Sequence, residues 1–444
     1  MKGKLIVYSL VVALAGFLFG FDTVVISGAD EQLQQLWNSS NWFHGFVVMS
    51  MALWGTVIGA IFGSYPTDIL GRKKTLIWIG IFYFVSALGS AIVSDPYMFS
   101  FFRFIGGLGV GASTIAAPAY VSEIAPKESR GKLVALYQFN IVFGILIAFV
   151  SNYLLQNFGE NSWRWMIGVE AVPALIYTLM VFRIPESPRW LLLHKKDRDK
   201  AREVFHTIFG KLPNIDSTMD VILEEANQIE NSEESIFSKK YHFPLFLAFL
   251  LAFFNQASGI NAVLYYAPRI MSEAGLEKSI ALLSSIGIGV TNMVFTLLGL
   301  YLIDRLGRKQ LMIIGSLGYI ISLSLVAMAF FFGWQGMAVP VFLFIFIAAH
   351  AVGQGTVIWV FISEIFPNHL RAKGQSFGSS THWVMAALIT LFMPPMLSSA
   401  GNPGIIFVIF AGLMVLQLLF VLFMMPETKG VSLEDLSKRL MRKS

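Results

Sequence analysis

Apolar residues gather into twelve long stretches, at 5–28, 43–64, 75–94, 97–120, 133–156, 163–183, 243–271, 279–303, 310–332, 338–363, 376–397 and 403–425. A spanning helix needs about 20 predominantly apolar residues to cross a hydrocarbon core of roughly 30 Å. Each stretch reaches that length, and the grouping is six, a polar insert, then six. Within the insert, 187–211 is rich in basic residues and 216–236 in acidic ones. Segments 199–205 and 221–225 set apolar beside charged positions at helical spacing, which predicts short amphipathic helices. The expected organisation is a six-helix bundle over 1–183, a linker over 184–242, a second bundle over 243–425 and a tail over 426–444. The fold class is an all-α membrane protein of twelve transmembrane helices in two pseudo-symmetric six-helix bundles. Lys2 and Lys4 precede the first stretch as in a secretory leader, but its length and Asp22 in its outer half predict a retained span.

The composition agrees: 56% of residues are hydrophobic and 13% charged, against about a quarter charged in a soluble domain. All lysines and arginines except Arg103, Arg164, Arg269 and Lys278 lie in the termini, the even-to-odd connections or the insert. Basic residues mark the cytoplasmic side, so both termini are expected inside. The net charge of +5 then reflects this bias and attraction to the lipid bilayer; no nucleic acid is expected. The chain has no cysteine, and its seven histidines show no zinc-binding spacing. No phosphate-loop motif occurs, so transport would draw on a gradient. No metal, cofactor or enzymatic activity is expected. Short loops suit the inner membrane of a bacterium, with the monomer as the working unit.

Three phrases recur at nearly one offset. Residues 63–74 (GSYPTDILGRKK) return as 299–309 (GLYLIDRLGRK), 123–126 (EIAP) with Arg130 as 364–367 (EIFP) with Arg371, and Pro185-Glu186 as Pro426-Glu427. The chain is a duplicated half. Asp68, Arg72, Glu123, Arg130 and Glu186 in the first copy, with Asp304, Arg308, Glu364, Arg371 and Glu427 in the second, can cross-pair into a network on the cytoplasmic side. Pairs that form when that side closes and part when it opens are the bistable element alternating access requires.

Asp22, Arg103 and Glu170 carry charge within the predicted spans, all in the first half. A charge at mid-bilayer costs roughly 2.5–3.5 kcal/mol even on the lowest scales, so each needs a partner or a purpose. Asp22 can exchange a proton as Arg103 approaches and withdraws; a static ion pair is the structural alternative. Glu170 lies nearer the outer rim, where solvation is the competing expectation. The second half offers amides instead: Asn255, Gln256 and Asn261 in the seventh stretch, with Gly259 able to break the helix between them, and Asn292 in the eighth. Gln138 sits in the fifth. Amides donate and accept together, as a hydroxyl-rich ligand demands, and Trp359 and Trp383 can cover an apolar face.

These features carry a resemblance. Gly20-Phe21-Asp22-Thr23, the run Arg103-Phe104-Ile105-Gly106-Gly107, Pro185-Glu186-Ser187-Pro188-Arg189-Trp190, Gly259-Ile260-Asn261 and Pro426-Glu427-Thr428-Lys429-Gly430 resemble the sugar porters of the major facilitator superfamily along the full length. The resemblance implies a monosaccharide substrate moved with a proton, coupling through the aspartate at Asp22, and a cavity lined by the amides and tryptophans above. It adds Phe19 and Tyr265 to that lining, Tyr265 toward the outer gate. There are departures: Asn255 replaces the first of two glutamines, Thr356 a proline, and His382 a residue that many members have as Gln or Asn. A hexose is expected, its identity left open by these changes. A facilitative uniporter of the same fold is the alternative, and a non-transporting sugar sensor, which usually adds long cytoplasmic tails, is less favoured.

Overall fold

The computed structural model describes residues 2–126, 129–210, 214–230, 234–367, 369–431, 435–436 and 439–440; the side chains of Lys2, Arg130, Glu225 and 227–230 are outside that description. Every described element is helical. Twelve spans are long and apolar enough to cross a membrane: Gly3–Gly28, Asn41–Phe62, Arg72–Ile92, Pro96–Ile124, Gly131–Leu155, Ser162–Val181, Lys239–Glu273, Lys278–Leu306, Arg308–Phe331, Ala338–Ile365, Arg371–Ser399 and Gly404–Phe423. Within lipid a helix satisfies all its own backbone donors and acceptors, which is why runs of this length take that form.

The spans build two six-helix bundles. In the first, span one packs along span five, and spans two and three along span four; in the second, span seven packs along span eleven, and span nine along spans ten and twelve. Small residues set the separations. Gly20 lies against the Ile141 carbonyl, Gly144 against that of Phe17 and Gly107 against that of Ala52, leaving no room for a Cβ. The bundles meet where span two crosses span eleven and span five crosses span eight. Exchanging the halves maps one of these contacts onto the other, as duplication requires.

Four spans are interrupted. The second has a π-helical turn at His44–Met49. The sixth breaks at Val169 and Glu170, between Ser162–Gly168 and Ala171–Val181. The seventh breaks between His242–Ala257 and Ile260–Glu273, where Gly259 adopts φ 84°. That left-handed conformation and the Phe410 ring against its Cα leave only glycine suitable. The tenth breaks at Gly353, between Ala338–Val352 and Gln354–Ile365.

The insert forms three helices, Pro188–Leu193, Arg198–Phe209 and Ile215–Glu230. They share a small core of Leu192, Ala201, Phe205, Ile215 and Met219. Arg198 pairs with Asp220 at 2.7 Å, and Arg202 with Asp216 at 2.5 Å.

Gly107→Val should force spans two and four apart against backbone and cost about 3 kcal/mol, the upper range for overpacking. Gly412→Val, on a surface with nothing within 4 Å, should cost little. Thermal melting in detergent compares the two, and equal midpoints would contradict the packing account.

Candidate functional site

Four groups of polar residues stand out against the apolar background. The first is a buried ion pair. Arg103 is fully buried and Asp22 is 2% exposed; Nη1 of Arg103 donates to Oδ1 of Asp22 at 2.5 Å and Nη2 to the Asp22 carbonyl at 3.1 Å. Glu170, 1% exposed, stands at the break in span six, and the charges acting on it are Asp22 and Arg103. Its placement removes the solvated-rim alternative: the interrupted helix carries the carboxylate into the bundle. Among the described residues neither of its oxygens has a hydrogen-bond donor, nor has Arg103 Nε an acceptor. Gly106 makes room beside this pair, since a Cβ there would meet Ser86 and lie 3.6 Å from Asp22 Oδ1.

The second group is an amide cluster in the other half. Asn261 Nδ2 donates to Gln256 Oε1 at 2.9 Å, and Gln256 Nε2 to Asn255 Oδ1 at 2.9 Å. The same Gln256 nitrogen lies 3.3 Å from His382 Nε2. His382 packs against Trp383 at 4.8 Å and Trp359 at 5.2 Å between ring centroids. Phe19 reaches across from the first half to Trp383 at 5.5 Å. Asn255, Gln256, Asn261, Tyr265 and Trp383 are buried, while Phe19, Trp359 and His382 are half-buried. Trp383 Nε1 is a buried donor without an acceptor among the described residues.

Two expected members stand apart. Asn292 accepts from Thr296, one turn along its own span, at 3.4 Å. Gln138 is half-buried on span five and joins none of these bonds among the described residues. Conversely, Gln354 and Gln417 were not singled out by sequence, yet both are fully buried and Asn255 Nδ2 donates to Gln354 Oε1 at 3.5 Å. Each is one polar residue in an apolar run, which no spacing rule distinguishes from packing glue.

The third group is a pair of matching clamps on the face bearing the repeated loops. Arg72 meets Glu123 at 2.9 Å and Asp68 at 3.1 Å, and Ser187 Oγ donates to Glu123 at 2.5 Å. In the second half Arg308 meets Glu364 at 2.7 Å and Asp304 at 3.3 Å, and Thr428 Oγ1 donates to Glu364 at 2.5 Å. Glu186 and Glu427 join through backbone: Glu186 accepts from Lys73 N–H at 3.0 Å, and Glu427 from those of Arg308 and Lys309, each at 3.0 Å. Gly71 and Gly307, with φ 97° and 91°, turn those N–H groups outward. Burial raises the Glu186 carboxyl above its ordinary value; at Glu427 burial acts the same way but the N–H donors outweigh it, and the result is lowered. Arg371 begins span eleven, half-buried; the side chain of Arg130 lies outside the described residues. Both clamps lie within a half.

The insert is fastened separately. Glu234 meets Lys240 and the Tyr241 hydroxyl, each at 2.5 Å, and His369 at 3.2 Å. The Lys240, Tyr241 and His369 contacts hold its carboxyl down at about 2.

The fourth group closes the opposite face. His44 Nε2 lies 2.7 Å from Asp30 Oδ1, both essentially unexposed. Arg269, from span seven, reaches Asp30 at 3.5 Å and donates to Gln34 at 2.8 Å, so this cluster does join the halves. Trp42 and Phe392 meet beside it at 5.7 Å. Burial, then the neighbouring Asp30, raises the Glu31 carboxyl there.

Two halves closed at one face, with charge buried in one and amides in the other, define a membrane carrier. The chain belongs to the family described as "Sugar (and other) transporter", which matches residues 8–440; it is a multi-pass integral membrane protein of the major facilitator fold, a transporter and not an enzyme. It is 33% identical over 471 residues to the D-xylose-proton symporter of Escherichia coli (strain K12), covering 96% of this chain and 94% of that protein. The arabinose-proton symporter of Bacillus subtilis (strain 168) is 35% identical, covering 98% and 95%. The glucose transporter GlcP of Staphylococcus epidermidis is 35% identical, covering 99% and 98%. Among solved structures, the partially occluded inward-open form of the xylose transporter XylE from E. coli superposes with a TM-score of 0.85 at 32% identity, over 97% of this chain and 99% of that one.

Replacing Arg103 by Met leaves Asp22 and Glu170 without a cation and should cost about 3–5 kcal/mol, as for other buried pairs broken from one side. Asp22→Asn keeps a polar partner for Arg103 and leaves the guanidinium near Glu170, so it should cost less. Thermal midpoints in detergent rank the two; the reverse order would contradict the assignment.

Proposed function

We propose that the protein imports a monosaccharide together with a proton, by rocking its two halves about a site between them. The observation that carries this reading is the Asp22–Arg103 pair, sealed in one half with Glu170 beside it. A proton on Asp22 cancels the attraction that holds Arg103, and a proton leaving it restores that attraction, so the geometry of spans one and four follows protonation. The sugar site is the amide and aromatic cluster: Gln256, Asn261 and His382 for hydroxyls, Trp359, Trp383 and Phe19 for the ring, and Tyr265 toward the outer closure. Gln138 and Asn292, on spans five and eight where the halves meet, complete it when substrate draws the spans together. Relatives named for xylose, arabinose and glucose support a monosaccharide substrate, with a hexose expected first.

In this reading the clamped loop face is cytoplasmic, as are both termini, in a bacterial inner membrane, and the monomer is functional. Residues 1–183 and 243–425 are the moving halves, 184–242 the linker and 426–444 the tail. The clamps at Asp68, Arg72, Glu123, Arg130 and Glu186, and at Asp304, Arg308, Glu364, Arg371 and Glu427, hold each half rigid and exchange partners across the interface when the inner side shuts. The Asp30–His44–Arg269 cluster locks the outer side while the inner side is open.

In proteoliposomes, Asp22→Asn should abolish accumulation against a gradient while sugar exchange continues; accumulation by the variant would remove the coupling role. Loss of accumulation on collapsing the proton gradient separates symport from uniport. Because the chain lacks cysteine, Trp42→Cys with Phe392→Cys gives a clean cross-link test. Oxidation should trap the outer side closed and stop uptake, with recovery on reduction; undiminished uptake by the cross-linked form would contradict alternating access at this contact.

A further inference from the structure

The amides of the candidate sugar site are the near end of a longer chain of hydrogen bonds, and every amide in it donates in the same direction. Asn261 Nδ2 donates to Gln256, Gln256 Nε2 to Asn255, and Asn255 Nδ2 to Gln354. Gln354 Nε2 then donates to Gln417 Oε1 at 3.0 Å, and Gln417 Nε2 to Ser316 Oγ at 2.8 Å. The far end fixes the direction. Ser316 spends its own hydrogen on the Met312 carbonyl at 2.7 Å, so its oxygen can only accept from Gln417. That turns the Gln417 oxygen toward Gln354. The Gln354 nitrogen is engaged there and lies 3.5 Å from the Leu251 carbonyl, which leaves its oxygen for Asn255. Reversing one amide would set donor against donor at one junction and acceptor against acceptor at the next, inside a region where Gln354, Gln417 and Ser316 are fully buried.

We infer that Gln354 and Gln417 are positioning residues for substrate recognition, resting on the monosaccharide reading above. They do not touch the sugar. Through Asn255 they fix which atoms Gln256 and Asn261 present. Gln256 has its nitrogen engaged between Asn255 and His382, and its oxygen, which accepts from Asn261, keeps one lone pair for a hydroxyl. The atom left over at the end of the chain is the Asn261 oxygen, an acceptor, and the unused buried donor nearby is Trp383 Nε1. The site therefore selects a ring that offers one hydroxyl as donor to Asn261 and an oxygen as acceptor to Trp383. Gln354 also heads the inner half of span ten, directly after the break at Gly353, so the orientation of the site is tied to three further spans rather than to span seven alone.

The test uses the full-length protein in detergent and in proteoliposomes, with D-xylose, D-glucose and the single-position deoxyglucoses as probes. Gln417→Met and Gln354→Met each break the chain while keeping a side chain of the same length. Each should raise KM and the dissociation constant of the transported sugar about tenfold, the scale of one misdirected hydrogen bond. Maximal rate and the ratio of accumulated to external sugar should change less than twofold. Discrimination against the deoxy sugar that lacks the hydroxyl read by Asn261 should fall by a similar factor. The double variant separates positioning from mere stability: removing both partners should restore the melting temperature toward wild type, yet the loss of affinity should remain. Folded single variants with wild-type KM and wild-type discrimination would overturn the relay alone. If the wild type responds to no monosaccharide, the monosaccharide reading falls and takes the relay with it.

Discussion

The Asp22–Arg103 pair is the constraint from which the rest of the first half follows. Two opposite charges with essentially no exposure gain little stability over a well-packed apolar pair, because desolvation offsets most of their attraction. An apolar contact would hold spans one and four together as well. Spans one and four instead keep a feature that is costly to bury, and the bundle is arranged around it. Gly106 clears space beside the carboxylate, and span six gives up helical regularity at Glu170 to bring in a second acid. In the coupling proposed above, a group that loses its charge by taking up a proton turns this cost into a switch.

The division of labour between the halves follows. Charge lies in the first and the hydrogen-bonding amides in the second, and the two meet at the centre through Phe19 and Trp383. A change in the first bundle reaches the second only by moving one against the other. Both are built for that. Each is stiffened on the loop face by its own arginine clamp and glutamate-capped helix start. The opposite face is shut by the buried Asp30 and His44, the half-buried Arg269 and the neighbouring Trp42–Phe392 contact. A face tied across the halves is the arrangement expected of a carrier closed on that side.

Much of this is legible in the chain itself. Hydropathy marks the twelve spans to within a few residues at most ends because the bilayer imposes a length on each and penalises every charge inside it. The duplicated loops stand out because Gly71 and Gly307 need left-handed backbone and their arginines need acids at fixed spacing. Gly259 points to the interruption in span seven for the same backbone reason. What sequence does not reveal is pairing between spans far apart in number. Gln354, Gln417 and Ser316 look like isolated polar residues until spans ten, twelve and nine are brought side by side. Asp30, His44 and Arg269 lie in three separate segments and belong to no motif. Glu186 and Glu427 read as partners for arginine, and only the fold shows them accepting backbone N–H groups. Glu170 near a span end reads as solvent-accessible until the helix break turns it inward.

On the proposed coupling, sugar crosses the wild-type protein only with a proton, because the loaded halves move only when the buried carboxylate is neutral. The most direct measurement is the current evoked by a sugar jump on a supported membrane carrying the purified protein, with no pH difference imposed. Positive charge should move with the sugar, in proportion to its flux. Sugar flux of normal rate with no accompanying charge would rule out symport.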